Sequence, residues 1–158
     1  MKQQLTEREV NLYSPLALAF LGDSVYEVLV RKKILLLANL PASKLHSLKI
    51  SRVCAAYQAA ALEKIMPVLD DKEISIVKRG RNATGNTVPK HASAAEYRKA
   101  TALECLFGYL YLLDRQDRID EATENHPEVR QYLDFDEMLK NPDIDIISIC
   151  LPSAMHAD

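Results

Sequence analysis

The 158-residue sequence predicts an all-α fold, a bundle of about five helices. Apolar residues recur at three- and four-residue spacings, Ser-Pro, Met-Pro and Asp-Asp steps punctuate them, and no strand pattern appears before residue 140. At 48% apolar residues, the chain has enough material for one core. Ser14 before Pro15 reads as an N-cap followed by Pro in the first turn, opening a long helix from Leu16 to about Leu37. A second helical region runs from after Pro41 to Met66 and Pro67, with Leu45, Leu48, Val53, Tyr57, Ala60 and Ala61 as its apolar stripe. Asp70 and Asp71 cap a shorter helix, in which Ile74, Ile76 and Val77 give way to Lys78, Arg79, Gly80 and Arg81. Cations at that end complement the helix dipole. Residues 83–93, with Gly85, Asn86, Pro89 and His91, form the one substantial loop. From Ala94 to Leu113 a last helix resumes, apolar nearly all round in its second half. Such a helix sits at the centre of a bundle, and the first long helix is expected to be buried against it.

The net charge of −2 conceals a polarity. Residues 1–118 hold 18 Lys and Arg against 12 Asp and Glu, net +6; residues 119–158 hold 2 against 10, net −8. The chain is a basic body with an acidic tail. Cys54, Cys105 and Cys150 form no C-x-x-C pair, so neither a disulfide framework nor a structural zinc site is indicated. The polar N-terminus is unlike a signal peptide, and no apolar run approaches the ~20 residues of a membrane span, so a soluble, cytoplasmic protein is expected. The glycines are Gly22, Gly80, Gly85 and Gly108, which leaves no G-x-G-x-x-G loop for a nucleotide cofactor.

Two carboxylates interrupt the most apolar helices. Gly22 and Asp23 lie between Leu16–Leu21 and Val25–Val30, and Glu104 lies within Leu103–Leu113. A carboxylate buried alone costs several kcal/mol, so such a group is paired, protonated, metal-bound or open to a cleft. Asp23 and Glu104 either pair with cations such as Arg98, lie on a wet stripe, or share a divalent cation. Oxygen donors without a His or Cys cluster point to Mg²⁺ or Mn²⁺. Glu27 reads as a surface partner of Arg31 at i+4 rather than a third acid.

Lys78, Arg79 and Arg81 cluster at a helix end, and Lys90, Arg98 and Lys99 border the loop that follows. A charge run of this kind is either a solvated face or a phosphate-binding surface. Beside a carboxylate pair on a body of net +6, the second reading is favoured. Metal-assisted phosphodiester hydrolysis uses both features.

Residues Leu16 to Val25 resemble the signature helix of the ribonuclease III endonuclease domain, and Thr101 to Leu112 resemble its second acidic helix. Lys78 to Asn82, Pro89 with Lys90, and Tyr97 with Arg98 are similar to motifs of its Mini-ribonuclease III branch, which lacks a double-stranded RNA-binding domain. The resemblance spans roughly residues 12 to 120. It implies the following: Asp23 and Glu104 as catalytic metal ligands, Mg²⁺ or Mn²⁺ as cofactor, and hydrolysis of double-stranded RNA to 5′-phosphate and 3′-hydroxyl ends in precursor ribosomal RNA (23S) maturation. It also implies Lys78, Arg79, Arg81, Asn82, Lys90 and Arg98 as the RNA grip, and a homodimer joined through the helix carrying Leu16 and Phe20. Full-length family members carry further acids where this sequence has Leu16, Ala19 and Thr101. Water and phosphate oxygens must then complete the metal shell, and metal affinity before RNA binds is expected to be weak. A catalytically silent RNA-binding or ribosome-assembly protein on the same scaffold is the alternative.

The body is expected to occupy residues 1–120 and the tail 121–158. Residues 144–151 read as one orphan strand stopped by Pro152. Residues 135–156 resemble an internal piece of the dinucleotide-binding domain of glucose-fructose or inositol-dehydrogenase-like oxidoreductases. A single strand cannot form a sheet, so the tail is read as a foreign fragment joined near residues 119–134, with a native acidic tail docked on the body as the alternative.

Overall fold

The computed structural model describes residues 5–37, 39–83 and 93–124. Among these it holds seven helices and no strand: α1 (Glu7–Val10), α2 (Pro15–Leu37), α3 (Ala42–Val53), α4 (Ala55–Ile65), α5 (Asp71–Asn82), α6 (Ala94–Leu112) and α7 (Gln116–Glu124). A single 3₁₀ turn, Met66–Val68, links α4 to α5. The expected all-α architecture is present. The loop residues 84–92, the strand at 144–151 and everything beyond Glu124 lie outside the described residues.

Local signals set most helix starts. Ser14 Oγ accepts from the Ala17 amide at 3.1 Å to open α2. Reciprocal capping boxes open α1 (Thr6 with Glu9), α5 (Asp70 with Glu73) and α6 (Ser93 with Glu96). Each satisfies donors that a helix start leaves without partners.

Helix α6 is the axis of the core. From Ala100 to Leu110 every residue except Glu104 is buried, and α2, α4 and α5 all pack on it. This agrees with its all-round apolar sequence. Helix α2 differs from expectation: Leu18, Ala19, Gly22, Val25, Tyr26 and Ile34 are buried, while Leu16, Phe20, Val28 and Leu35 face solvent. Among the described residues, α2 is covered on the sides that meet α6, α3 and α5.

The second helical region is two helices rather than one. At Cys54 the backbone is extended (φ −73°, ψ 154°). The Tyr26 hydroxyl donates to the Arg52 carbonyl at 3.0 Å, satisfying an acceptor that the end of α3 leaves open. Helix α3 thus stays on α2 while α4 turns onto α6. The stripe shifts accordingly: α4 buries Gln58, Ala59, Ala61, Leu62 and Ile65, whereas Ala60 is exposed and Leu45, Leu48 and Val53 are half-buried.

Helix α7 runs across residue 120 and is anchored by Ile119, which has no exposed surface. Arg118 meets the buried Glu73 through Nε at 2.7 Å and Nη2 at 2.8 Å, and also reaches the Val68 carbonyl and Glu121. Glu73 is therefore both the closing half of the α5 capping box and the anchor for α7. A bidentate guanidinium suits this planar carboxylate.

Candidate active site

The site begins where α2 crosses α6. A Cβ built on Gly22 would lie 1.7 Å from the Glu104 carbonyl oxygen and 2.7 Å from the Gly108 amide nitrogen. One built on Gly108 would lie 2.0 Å from the Leu18 carbonyl oxygen. The two helices touch backbone to backbone, an approach open only to glycine. Asp23 follows Gly22 directly, and Glu104 lies one turn before Gly108, so the crossing brings the two acids together.

Their environments are unequal. Asp23 is exposed; Glu104 is half-buried. Burial, reinforced by the negative charge of Asp23, pushes the Glu104 carboxyl up to about 7, and a hydrogen bond from the Gln58 side chain opposes the rise. Gln58 itself is 2% exposed, so its amide reaches Glu104 from inside the protein. Among the described residues no ion pair reaches Asp23 or Glu104, and Arg98 is not their partner. The expected i+4 pair does form elsewhere: Arg31 donates to Glu27 at 2.5 and 2.8 Å, Lys49 stands at 3.4 Å, and the Glu27 carboxyl is held below its usual range chiefly by the Arg31 hydrogen bond.

Two oxygen-donor groups that repel each other, with no protein cation between them, form a donor set suited to a hard divalent ion. Among the described residues no third His, Cys, Asp or Glu joins them to make a fuller cluster. Thr101 is buried, with its hydroxyl donating to the Tyr97 carbonyl at 3.1 Å.

The basic residues separate into distinct roles. Arg81, Asn82, Ala95, Arg98 and Lys99 line a groove of about 430 Å³ between the end of α5 and the start of α6. This unites three of the six expected RNA contacts. Lys99 also pairs with Glu63 of α4. Lys78 is exposed on α5 outside that lining, and Lys90 lies outside the described residues. Arg79 points elsewhere: it donates to Asn11 Oδ1 at 3.1 Å, the Asn11 carbonyl at 3.4 Å and the Tyr13 carbonyl at 3.2 Å. Its guanidinium fastens the α1–α2 connection to α5.

Residues 16–115 match the family described as the Ribonuclease III domain, a span that contains Asp23, Glu104 and the whole groove. The chain belongs to the ribonuclease III family. It is an endoribonuclease. Its relatives include the Mini-ribonuclease 3 of Brevibacillus brevis, 42% identical over 123 residues covering 78% of this chain and 91% of the relative. That of Symbiobacterium thermophilum is 44% identical over 108 residues, covering 68% and 83%. The crystal structure of a Fusobacterium nucleatum protein from a structural genomics consortium superimposes with a TM-score of 0.68 at 33% identity, covering 76% of this chain and 96% of that one.

Sequence reasoning expected Asp23 and Glu104 to lie together, and the α2–α6 crossing brings them close, but it missed Gln58. Its signal was available, since Gln58, Ala61, Leu62 and Ile65 follow the i, i+3, i+4, i+7 spacing of one helix face. A glutamine on an apolar face needs a buried partner.

Proposed function

We propose that this ribonuclease III family member hydrolyses double-stranded RNA with Mg²⁺, or Mn²⁺, held by Asp23 and Glu104, and that it acts as a cytoplasmic homodimer in precursor ribosomal RNA (23S) maturation. The observation that carries the reading is the un-neutralised Asp23–Glu104 pair at the glycine-lined crossing of α2 and α6. When bound, the ion supplies Lewis acidity at the scissile phosphate and the attacking water. Asp23 offers a solvent-facing charge, and Glu104 gives up its proton to act as the second donor. The groove at Arg81, Asn82 and Arg98 grips backbone phosphates without reading bases, in keeping with shape-based recognition of A-form RNA. The products carry 5′-phosphate and 3′-hydroxyl ends.

The dimer reading rests on the outer face of α2 and the turn before it. Leu12 and Phe20 are each 83% exposed, and Tyr13 and Leu16 about half. Among the described residues such a stripe has no apolar cover. A two-fold arrangement through it sets one site against each strand of a duplex. Phe20→Glu places a charge in that contact and is expected to give a monomer at micromolar concentration by sedimentation; a persistent dimer removes this interface from the reading.

The activity is tested with a long RNA duplex and the same sequence single-stranded, each in Mg²⁺ or EDTA, with end-group analysis. Cutting of the duplex alone, only with Mg²⁺ and with 5′-phosphate ends, is expected. Duplex binding without cutting in Mg²⁺ instead assigns a silent RNA-binding role, and absence of both overturns the reading.

A further inference from the structure

The Glu104 carboxylate has a support that is neither a metal donor nor an RNA contact. Glu104 is fixed at two points. Its backbone carbonyl is clamped by the Gly22 contact, so α6 cannot slide or turn at this position without separating from α2. Its side chain takes a hydrogen bond from Gln58, reaching across from α4, which packs on the same helix. At 2% exposure, Gln58 cannot exchange this partner for bulk water. Its neighbours on the buried side of α4 are Ala59, Ala61, Leu62 and Ile65, which offer no side-chain acceptor.

The residue type matters. An arginine or lysine at position 58 would neutralise Glu104 and compete with a cation. A third acid there would add repulsion to a pair already strained by Asp23. A neutral amide orients the carboxylate and leaves its charge available. We propose that Gln58 is a positioning residue for RNA hydrolysis: its buried amide donates to one carboxylate oxygen of Glu104 and holds the other toward Asp23 and the divalent ion. The inference rests on the reading of Asp23 and Glu104 as metal ligands. Hydrogen bonds that orient ligating carboxylates typically change metal affinity or activity by about 10–100-fold when removed.

Two variants test this. Gln58→Met keeps the length and apolar bulk of the side chain but removes the donor. Gln58→Asn keeps the amide but shortens its reach by one methylene. Each is compared with wild type and Asp23→Asn for cleavage of an RNA duplex in Mg²⁺, and in a separate RNA-free titration that reads melting temperature against Mn²⁺ concentration. The expected result in the folded variants is a 10–100-fold fall in kcat, KM for the duplex within about threefold, and a Mn²⁺ midpoint raised by about tenfold. If Gln58→Met does not fold, Gln58→Asn decides alone. Wild-type kcat and Mn²⁺ midpoint in the folded variants overturn the proposal. So does a loss confined to melting temperature or KM, which would leave Gln58 a packing residue. If wild type fails to cut, or Asp23→Asn cuts normally, the metal-ligand reading itself has failed, and that outcome is distinct from failure of the Gln58 assignment.

Discussion

Glu104→Gln is expected to abolish duplex cleavage, by about a thousandfold or more, while making the metal-free protein more stable at alkaline pH. The first effect removes a charged donor from a site with two, and a thousandfold corresponds to about 4 kcal/mol of barrier. The second follows from burial. The Glu104 carboxyl ionises at about 7 in the folded chain instead of the 4.5 of a free side chain, because burial and the charge of Asp23 disfavour its anion. Between those values the unfolded chain has released its proton while the folded chain keeps it, so folding loses stability as pH rises; above about 7 the loss is complete. The amide has no proton to lose and escapes this penalty, on the order of 2 kcal/mol at pH 8. Thermal melts in EDTA should show Glu104→Gln several degrees above wild type at pH 8 and level with it near pH 4.5. Asp23→Asn should also stop cleavage, and by removing the repelling charge it should lessen the pH-dependent loss in wild-type Glu104. Retained cleavage in either variant, or a Glu104→Gln protein that melts below wild type at pH 8, contradicts this account.

The parts of the fold that could be read from sequence were those determined locally. Ser14 with Pro15, Asp70 with Glu73, and the all-apolar run after Ala100 each carry their own start signal or period, and α2, α5 and α6 appear where these place them. The break at Cys54 had no local signal, because it depends on Tyr26, 26 residues before Arg52 in the chain, donating to the Arg52 carbonyl. Helices α1 and α7 are short and polar, and they hold through single buried residues, Val10 and Ile119, and through the long-range pair of Glu73 and Arg118. In the site, Asp23 and Glu104 stood out because acids in apolar helices demand explanation. Arg79 and Arg98 looked alike in sequence, yet Arg79 faces open carbonyls of the α1–α2 connection and Arg98 a groove. That difference arises from tertiary packing alone.

Gly22→Ala should be among the most damaging single-atom additions this protein can receive. On an ordinary helix the change is favourable by about 1 kcal/mol, since glycine is a poor helix former. Here the new methyl would overlap the Glu104 carbonyl oxygen at 1.7 Å and its carbon at 2.6 Å. Those atoms are backbone, fixed by the hydrogen bonds of α6, and cannot rotate away as a side chain can. Relief requires α2 and α6 to move apart, opening the largest contact in the core. A cost of about 3 kcal/mol or more is expected, set against a total stability of roughly 5–15 kcal/mol for a domain of this size. The site suffers with the fold, because Asp23 and Glu104 are held together by the same contact. Gly108→Ala should behave alike, its methyl meeting the Leu18 carbonyl from the other helix. Ser24→Ala, at an exposed position one residue beyond Asp23, is the control for the addition of helix propensity and should melt within a degree or two of wild type. Circular-dichroism melts and duplex cleavage on the four proteins decide the matter: a Gly22→Ala variant that melts and cuts like Ser24→Ala would show that α2 and α6 can separate at little cost. The acids would then need some other device to keep them together.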